Sequence, residues 1–137
     1  MKNLWAILLL VSSNVFSCDE TSDSIILIKE ISPGIAQILE IGHDYNISIK
    51  AKYKSTVPSG SISLIIQRAE SEYPPLCTKT QEITDNEGIV ELSCVITLPN
   101  TSMLTAFVPF FGAEECRTRT VDSRAFETVD NRKSGKI

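Results

Sequence analysis

Apolar and polar residues alternate along most of this chain, with the period of two that is typical of β-strands. The clearest segment runs from Tyr45 to Lys54, where every second residue is apolar and the residues between them are Asn, Ser or Lys. The same alternation recurs over residues 61–67, 90–98 and 104–110, and an apolar run begins at Ile25. Each of these segments is predicted to be a strand with one buried face and one face in water.

Turn-forming residues separate these segments, as in Ser32-Pro33-Gly34, Pro58-Ser59-Gly60 and Asp85-Asn86-Glu87-Gly88. About seven short strands at spacings of about 8–12 residues indicate an all-β fold. We expect an antiparallel two-sheet sandwich over residues 25–129. Residues 130–137 form a polar tail.

The first 18 residues have a different pattern. A positively charged start, an apolar run from Leu4 to Val11 and a small, polar exit precede Cys18. This is the layout of a secretory signal peptide, and the apolar run is too short to span a bilayer. We therefore predict a signal peptide at residues 1–17, a polar tether at residues 18–24 and an exported protein.

The end of this segment, Val15-Phe16-Ser17-Cys18, resembles the lipobox of bacterial lipoproteins. The resemblance implies that Cys18 becomes the lipid-modified N-terminus and holds the protein on a membrane at the cell surface. The alternative is an ordinary signal cleaved after Ser17, since Phe16 is larger than the small residue usual at that position. Cys18 would then be a thiol available for pairing in a free extracellular protein.

Charge excludes one class of partner. Removal of the predicted signal peptide, residues 1–17, leaves 120 residues and takes away one charged side chain, Lys2. The remaining residues hold twelve basic and seventeen acidic side chains, a net charge of −5, and they include no long run of one sign. Nucleic acid as a partner would call for a basic face, so we do not expect it. A protein or a glycan remains as the class of partner.

The first half of the domain resembles bacterial immunoglobulin-like domains. The resemblance rests on Ile31-Ser32-Pro33, Leu39-Glu40-Ile41-Gly42, Tyr45-Asn46-Ile47-Ser48-Ile49 and Gly60-Ser61-Ile62-Ser63-Leu64. It implies that the two-sheet sandwich is of the immunoglobulin or fibronectin III type and is used for spacing or adhesion, whereas fold analogy alone does not assign a function.

Residues that would support catalysis are scarce. The single histidine, His43, lies in a loop beside Asp44, and no Cys/His spacing matches a zinc site. A triad would need a base, and His43 is the one candidate. We therefore expect no catalytic residues, no metal and no cofactor.

The cysteines predict a disulfide, which export permits. If Asp85-Asn86 is the centre of a hairpin, Cys77 lies directly opposite Cys94, close enough to bridge. In the absence of lipid, Cys18 could pair with Cys116. The alternative for Cys94 is a small buried apolar residue.

An interaction patch is predicted from strand parity. If residues 104, 106, 108 and 110 face the core, Phe107 and Phe111 face outward, and Ile65 is the outward apolar residue of a strand that neighbours them in a sandwich of this type. An exposed apolar patch often marks a binding surface. Two alternatives remain: the segment around Phe126 covers the patch, or Pro109 marks a bulge that turns one ring inward.

The leading functional interpretation is a non-enzymatic, exported, lipid-anchored module that binds or spaces at the cell surface. The alternative is a free secreted, disulfide-bonded protein, glycosylated at the sequons Asn46-Ile47-Ser48 and Asn100-Thr101-Ser102 if the host is eukaryotic. An enzyme ranks third.

Overall fold

The computed structural model describes residues 24–55, 59–112 and 119–134, and the predicted all-β, two-sheet fold is confirmed within them. Eight strands are present where about seven were expected, followed by a single helical turn, α1. Their bounds are β1 (Ile25–Ser32), β2 (Leu39–Glu40), β3 (Asp44–Lys54), β4 (Gly60–Arg68), β5 (Cys77–Ile83), β6 (Glu87–Thr97), β7 (Met103–Gly112), β8 (Arg119–Val129) and α1 (Asn131–Ser134).

The strands form a three-stranded sheet in the order β1-β3-β6 and a five-stranded sheet in the order β2-β8-β7-β4-β5. The ladders are antiparallel except between β2 and β8, which are parallel. A wholly antiparallel sandwich was therefore wrong in this detail. The two residues of β2 are too few to show a period, and they follow β1 after the chain has crossed from one sheet to the other at the cis peptide Ser32–Pro33.

The core lies between the two sheets and consists mainly of the apolar residues at every second position of each strand. In β3, for example, Ile47, Ile49, Ala51 and Tyr53 are buried, whereas the lysines between them are not. Burying a side chain of this size stabilises the fold by about 1.5–3 kcal/mol. Side chains that are almost completely buried include Leu39, Ile47, Ile62, Leu64, Ile66, Leu98, Leu104, Val108, Phe110 and Phe126.

The predicted disulfide between Cys77 and Cys94 is present, with 6.1 Å between the Cα atoms. The hairpin that suggested it is wrong. β5 pairs with β4 and β6 pairs with β3, so the bridge joins the edge strands of the two sheets along one side of the sandwich. The backbone carbonyl of Asn86 accepts a hydrogen bond from the Ser55 backbone at 2.6 Å, and the Asn86 side chain donates to the Ser55 carbonyl, which starts β6 beside the end of β3.

The opposite side of the sandwich is closed by a charged pair on β8. Lys29 is an extra residue in the β1–β3 ladder, and the backbone of its neighbour Ile28 bonds to the other sheet. The Ile28 N–H donates to Asp122 at 2.8 Å, and Arg124 donates to the Ile28 carbonyl at 3.2 Å. Asp122 and Arg124 also form an ion pair at 2.9 Å. Side chains of the five-stranded sheet thus hydrogen-bond the backbone of β1, an edge strand of the three-stranded sheet.

Removing the disulfide should destabilise the protein. The cysteines are 17 residues apart, so we expect Cys77→Ala/Cys94→Ala to lower the free energy of unfolding by about 2–3 kcal/mol. Denaturant titration measures this loss, and non-reducing peptide mapping identifies the bridge. Mapping that links Cys77 to Cys116, or finds it reduced, would contradict the observed pairing.

Replacing Asp122 should alter the acid stability. Partial burial acts to raise the pKa of its carboxyl, but the hydrogen bonds from Ile28 and Arg124 outweigh burial and hold the pKa below its ordinary value. The stabilisation is therefore complete above the unfolded pKa of about 3.9 and is lost as the pH falls through the lower, folded value. Asp122→Ala should cost about 1.5–3 kcal/mol at neutral pH and remove this part of the acid dependence.

Glu127→Ala is the matched control, because it removes one negative charge from the solvent side of the same strand. Chemical unfolding between pH 7 and pH 2 compares the variants. Parallel stability curves for wild type and Asp122→Ala would show that this carboxylate does not couple the sheets.

Candidate interaction face

The outer surface of the five-stranded sheet carries a group of apolar residues on three neighbouring strands. The inward residues of β4 and β7 are buried, so the alternate residues of these strands occupy outward positions. The register adds Val121 of β8, which lies opposite Pro109 of β7. We call this group the apolar face; it consists of Ile65, Phe107, Pro109, Phe111 and Val121.

The three predicted patch residues share this surface. Ile65 lies directly opposite Phe107 across the β4–β7 ladder, and Phe111 lies opposite Ser61 of the same strand β4. The β7–β8 register is unbroken from Met103 to Phe111, so Pro109 does not mark a bulge. Their role as an interaction surface stays a prediction.

The other alternative, that the segment around Phe126 covers the patch, is also contradicted. Phe126 does not cover the apolar face, because it is completely buried on the inner side of β8, opposite the buried Leu104. The ring therefore belongs to the core and not to the outer surface.

Exposure varies within the apolar face. Val121 is 55 % exposed and Phe111 is 39 % exposed, whereas Ile65 and Phe107 are half-buried and Pro109 is buried. The side chains are therefore packed against one another and still present apolar area to solvent. At the end of this face, a Cβ on residue 60 would clash with the carbonyl oxygen of Phe111, so a glycine begins β4.

Polar residues beside the centre of the apolar face are uncharged, whereas charged residues lie at its two ends. Ser63 is buried beside it and hydrogen-bonds the Thr80 hydroxyl at 2.8 Å. The outward positions in the three central rows of the sheet hold no charged residue; they are Ser63, Ile65, Gln67, Thr78, Thr80, Thr105, Phe107, Pro109, Val121, Ser123 and Ala125. Glu82, Arg119 and Glu127 lie beyond these rows, on β5 and β8, and Arg119 lies directly opposite Phe111 in the β7–β8 ladder.

The outer surface of the three-stranded sheet has the opposite character. Lys50 and Lys54 lie opposite Glu91 and Glu87 in the β3–β6 ladder. Lys50 also pairs with Glu30 at 3.6 Å. Four exposed apolar residues also occur there, and each lies opposite a charged or polar residue: Ile25 opposite Lys54, Leu27 and Ile89 opposite Lys52, and Val95 opposite Asn46. The two outer surfaces thus differ in charge although both are faces of amphipathic sheets.

The residues with titratable side chains do not converge on a reactive site within the described part of the chain. His43 is largely exposed and lies 3.9 Å from Glu40, consistent with a solvated loop residue. At the same end of the sandwich, Glu70 accepts a hydrogen bond from Thr101 at 2.8 Å, which lowers the pKa of Glu70, while Asp130 pairs with Arg132 at 3.0 Å.

The described residues lack two kinds of feature, a metal-binding cluster and a membrane-spanning helix. They contain no group of three or more His, Cys, Asp or Glu side chains that could hold a metal ion. Among these same residues there is also no helix with the length and apolar character needed to cross a bilayer.

Other predicted positions fall in two groups. Cys18 and Cys116 lie outside the described residues, so the lipid anchor and the Cys18–Cys116 alternative stay predictions. The asparagines of both sequons are exposed: Asn46 lies on the outer surface of the three-stranded sheet, and Asn100 lies between β6 and β7. Neither asparagine is on the apolar face.

Sequence reasoning missed Val121 as a member of the apolar face. The available signal was its parity, since Val121 and the buried Phe126 are five residues apart and must point to opposite sides of one strand. Residues 116–121 show no clear alternation of apolar and polar residues, so the sequence pattern indicated no parity for this strand.

No protein-family model matches this sequence, and comparison with curated proteins gives no significant match.

Adjacent phenylalanines on β7 provide a test of the apolar face. Phe110 is buried in the core, whereas Phe111 faces outward. We expect Phe110→Thr to lower the free energy of unfolding by about 3–5 kcal/mol, as truncation of a buried ring does. Phe111→Thr should cost about 1 kcal/mol or less, because threonine suits an exposed strand position. Equal losses in denaturant titrations would place both rings in the core.

Proposed function

We propose that this protein is a non-enzymatic, exported β-sandwich module, anchored by lipid at Cys18, that binds a protein partner at the cell surface through the apolar face. The observation that carries the proposal is the contrast between the two outer surfaces, one with charges of both signs across it and one with an apolar, uncharged centre. A contiguous exposed apolar surface with a polar rim is typical of a protein interaction site.

The partner surface should itself be apolar and uncharged. A charged partner surface would lose its hydration against Ile65, Phe107 and Phe111 without gaining an ion pair. A sugar-binding site is less suitable, since sugars stack on exposed rings and Phe107 is half-buried. We therefore assign the apolar face to a protein.

The order of the strands supports an immunoglobulin-type arrangement as part of the proposal. In that arrangement the third strand neighbours the sixth and the sixth neighbours the seventh in one sheet. Here β4 pairs with β7 and β7 pairs with β8, if β2 is counted as a short addition to the first strand. The inter-sheet bridge Cys77–Cys94 is also consistent with a protein that folds outside the reducing cytoplasm.

The position of the N-terminus suits an anchored module. Ser24 is buried and its hydroxyl lies 3.4 Å from that of Ser55, so the chain enters β1 at the end of the sandwich where β3 ends. Six residues separate Cys18 from Ile25. They reach at most about 20 Å, so an anchor at Cys18 keeps the sandwich close to the membrane. The strands then rise from the membrane, and both outer surfaces face sideways.

The alternative is a free secreted protein that carries glycans. The observation in its favour is the exposure of Asn46 and Asn100, both in sequons and both outside the apolar face. Glycans at these positions would leave the apolar face accessible, so the binding role is the same in the two cases. Intact mass of the exported protein separates acyl chains from glycans.

The anchor is tested by Cys18→Ser. We expect the variant to leave the membrane fraction and appear in the soluble exported fraction, because a serine cannot carry the thioether-linked lipid. Cys116→Ser is the matched control and should stay with the membrane. The anchor proposal fails if Cys18→Ser still fractionates with membranes, or if the wild type is soluble and contains a Cys18–Cys116 bridge.

A further inference from the structure

We propose that the protein bound by the apolar face is a second copy of this chain, so that two five-stranded sheets pack outer surface against outer surface about a two-fold axis. This inference rests on the proposed binding function of the apolar face and names its partner. Three features support it: the charge pattern, the area and the direction of the strands.

The charge pattern permits the surface to meet its own copy. In a two-fold interface the same patch is present on both sides, so any charge near the axis meets a like charge. The three central rows of the five-stranded sheet hold no charged outward residue, so no like charges meet there. Glu82 and Arg119 lie in the next row, on β5 and β8, away from the centre of the sheet. The outer surface of the three-stranded sheet holds charges of both signs, and covering it with a copy would remove Lys50, Lys52 and Lys54 and their glutamate neighbours from water.

The available area is sufficient for a weak dimer. Strands β8, β7, β4 and β5 at about 4.8 Å spacing, and the nine residues of β4 at about 3.3 Å each, give about 550 Å² per copy. This area includes the row of Phe111, in which Glu82 and Arg119 form a charged rim. The two copies together bury about 1,100 Å², near the lower limit for a specific interface. Anchoring both copies in one membrane raises their effective concentration and compensates for the modest area.

The strand direction selects the axis. A two-fold rotation about an axis parallel to the strands leaves the strand direction unchanged. The ends of the two sandwiches that hold Ser24 then point the same way, so both tethers reach the same membrane. The axis then passes between β7 and β4, and Phe107 of one copy packs on Ile65 of the other, with the reciprocal contact on the other side of the axis. Aligned sheets pack at about 30°, which brings these rows together at the centre of the interface.

Two exposed valines provide matched variants. Val121 belongs to the apolar face, and Val95 is 73 % exposed on the outer surface of the three-stranded sheet. The mature exported protein, extracted in mild detergent, is studied by sedimentation velocity over a wide range of concentrations. We expect wild type and Val95→Glu to change from monomer to dimer over the same concentration range. Val121→Glu should form the dimer only at a concentration about tenfold higher or more.

A second pair keeps the test valid if Val121→Glu does not fold, as judged by circular dichroism. Ser123 and Ser93 are exposed outward residues of β8 and β6, so Ser123→Glu adds a charge to the dimer surface and Ser93→Glu adds one to the opposite surface. Ser123→Glu should weaken the dimer and Ser93→Glu should not.

Two results would overturn the second copy as partner. One is a wild type that remains a single chain at all concentrations, and the other is a dimer that both members of each pair affect equally. If the wild type is monomeric but retains a different protein that Val121→Glu loses, the homodimer is wrong and the binding function stands. If the dimer depends on Val121 while Cys18→Ser stays on the membrane, the anchor is wrong and the dimer stands.

Discussion

Burial of the inner surfaces of two sheets of unequal width is the constraint on which the rest of this structure depends. The three-stranded sheet supplies residues such as Ile47 and Ile49, and the five-stranded sheet supplies Leu64, Val108 and Phe126. Each strand obeys a period of two, so placing one parity in this core fixes which residues point outward. The outward groups on both sheets are therefore consequences of the core and not independent features.

The two sheets are joined along both sides of the sandwich by different interactions. The disulfide Cys77–Cys94 connects β5 to β6 on one side, and Asp122 and Arg124 connect β8 to the backbone of Ile28 on the other. Both connections cross from one sheet to the other, so they oppose sliding as well as separation. A sandwich held in this way presents its outer surfaces in a constant arrangement, which is what a binding or spacing module requires.

The two outer surfaces differ because the core does not determine their composition. Lysines and glutamates on β3 and β6 give the three-stranded sheet the polar surface expected of a solvated face. The five-stranded sheet keeps Phe107, Phe111 and Val121 outward, where polar residues would cost nothing in core packing. This contrast is the basis for assigning a partner to that surface, and the absence of charge in its centre is the basis for choosing a second copy.

The strands and the core could be predicted from the sequence because alternation of apolar and polar residues over ten positions, as in β3, indicates a strand with one buried face. Parity also placed Ile65, Phe107 and Phe111 outward. The strand pairing could not be derived in the same way. A short connection such as residues 84–86 serves a hairpin or a crossing between sheets equally well, and only the bonds of Asn86 to Ser55 decide between them.

Two other features were beyond sequence reasoning. β2 has two residues and therefore no period. Asp122 and Arg124 have the same parity as the buried Phe126, which indicates that β8 directs two charged residues toward the inner side. Their partner, the backbone of Ile28, could not be found from the sequence. Its N–H and carbonyl groups are available to β8 beside a bulge in β1, and that bulge has no sequence signature.

The central claim is that the outer surface of the five-stranded sheet is exposed in the single chain and covered in the assembled protein. Hydroxyl-radical footprinting of the mature protein tests it directly, because oxidation reports the solvent exposure of individual side chains. At high dilution Phe111 and Val121 should be oxidised while Phe110 and Phe126 are protected. At high concentration Phe111 and Val121 should become protected and Val95 should not. Protection of Phe111 equal to that of Phe110 at high dilution would contradict the account.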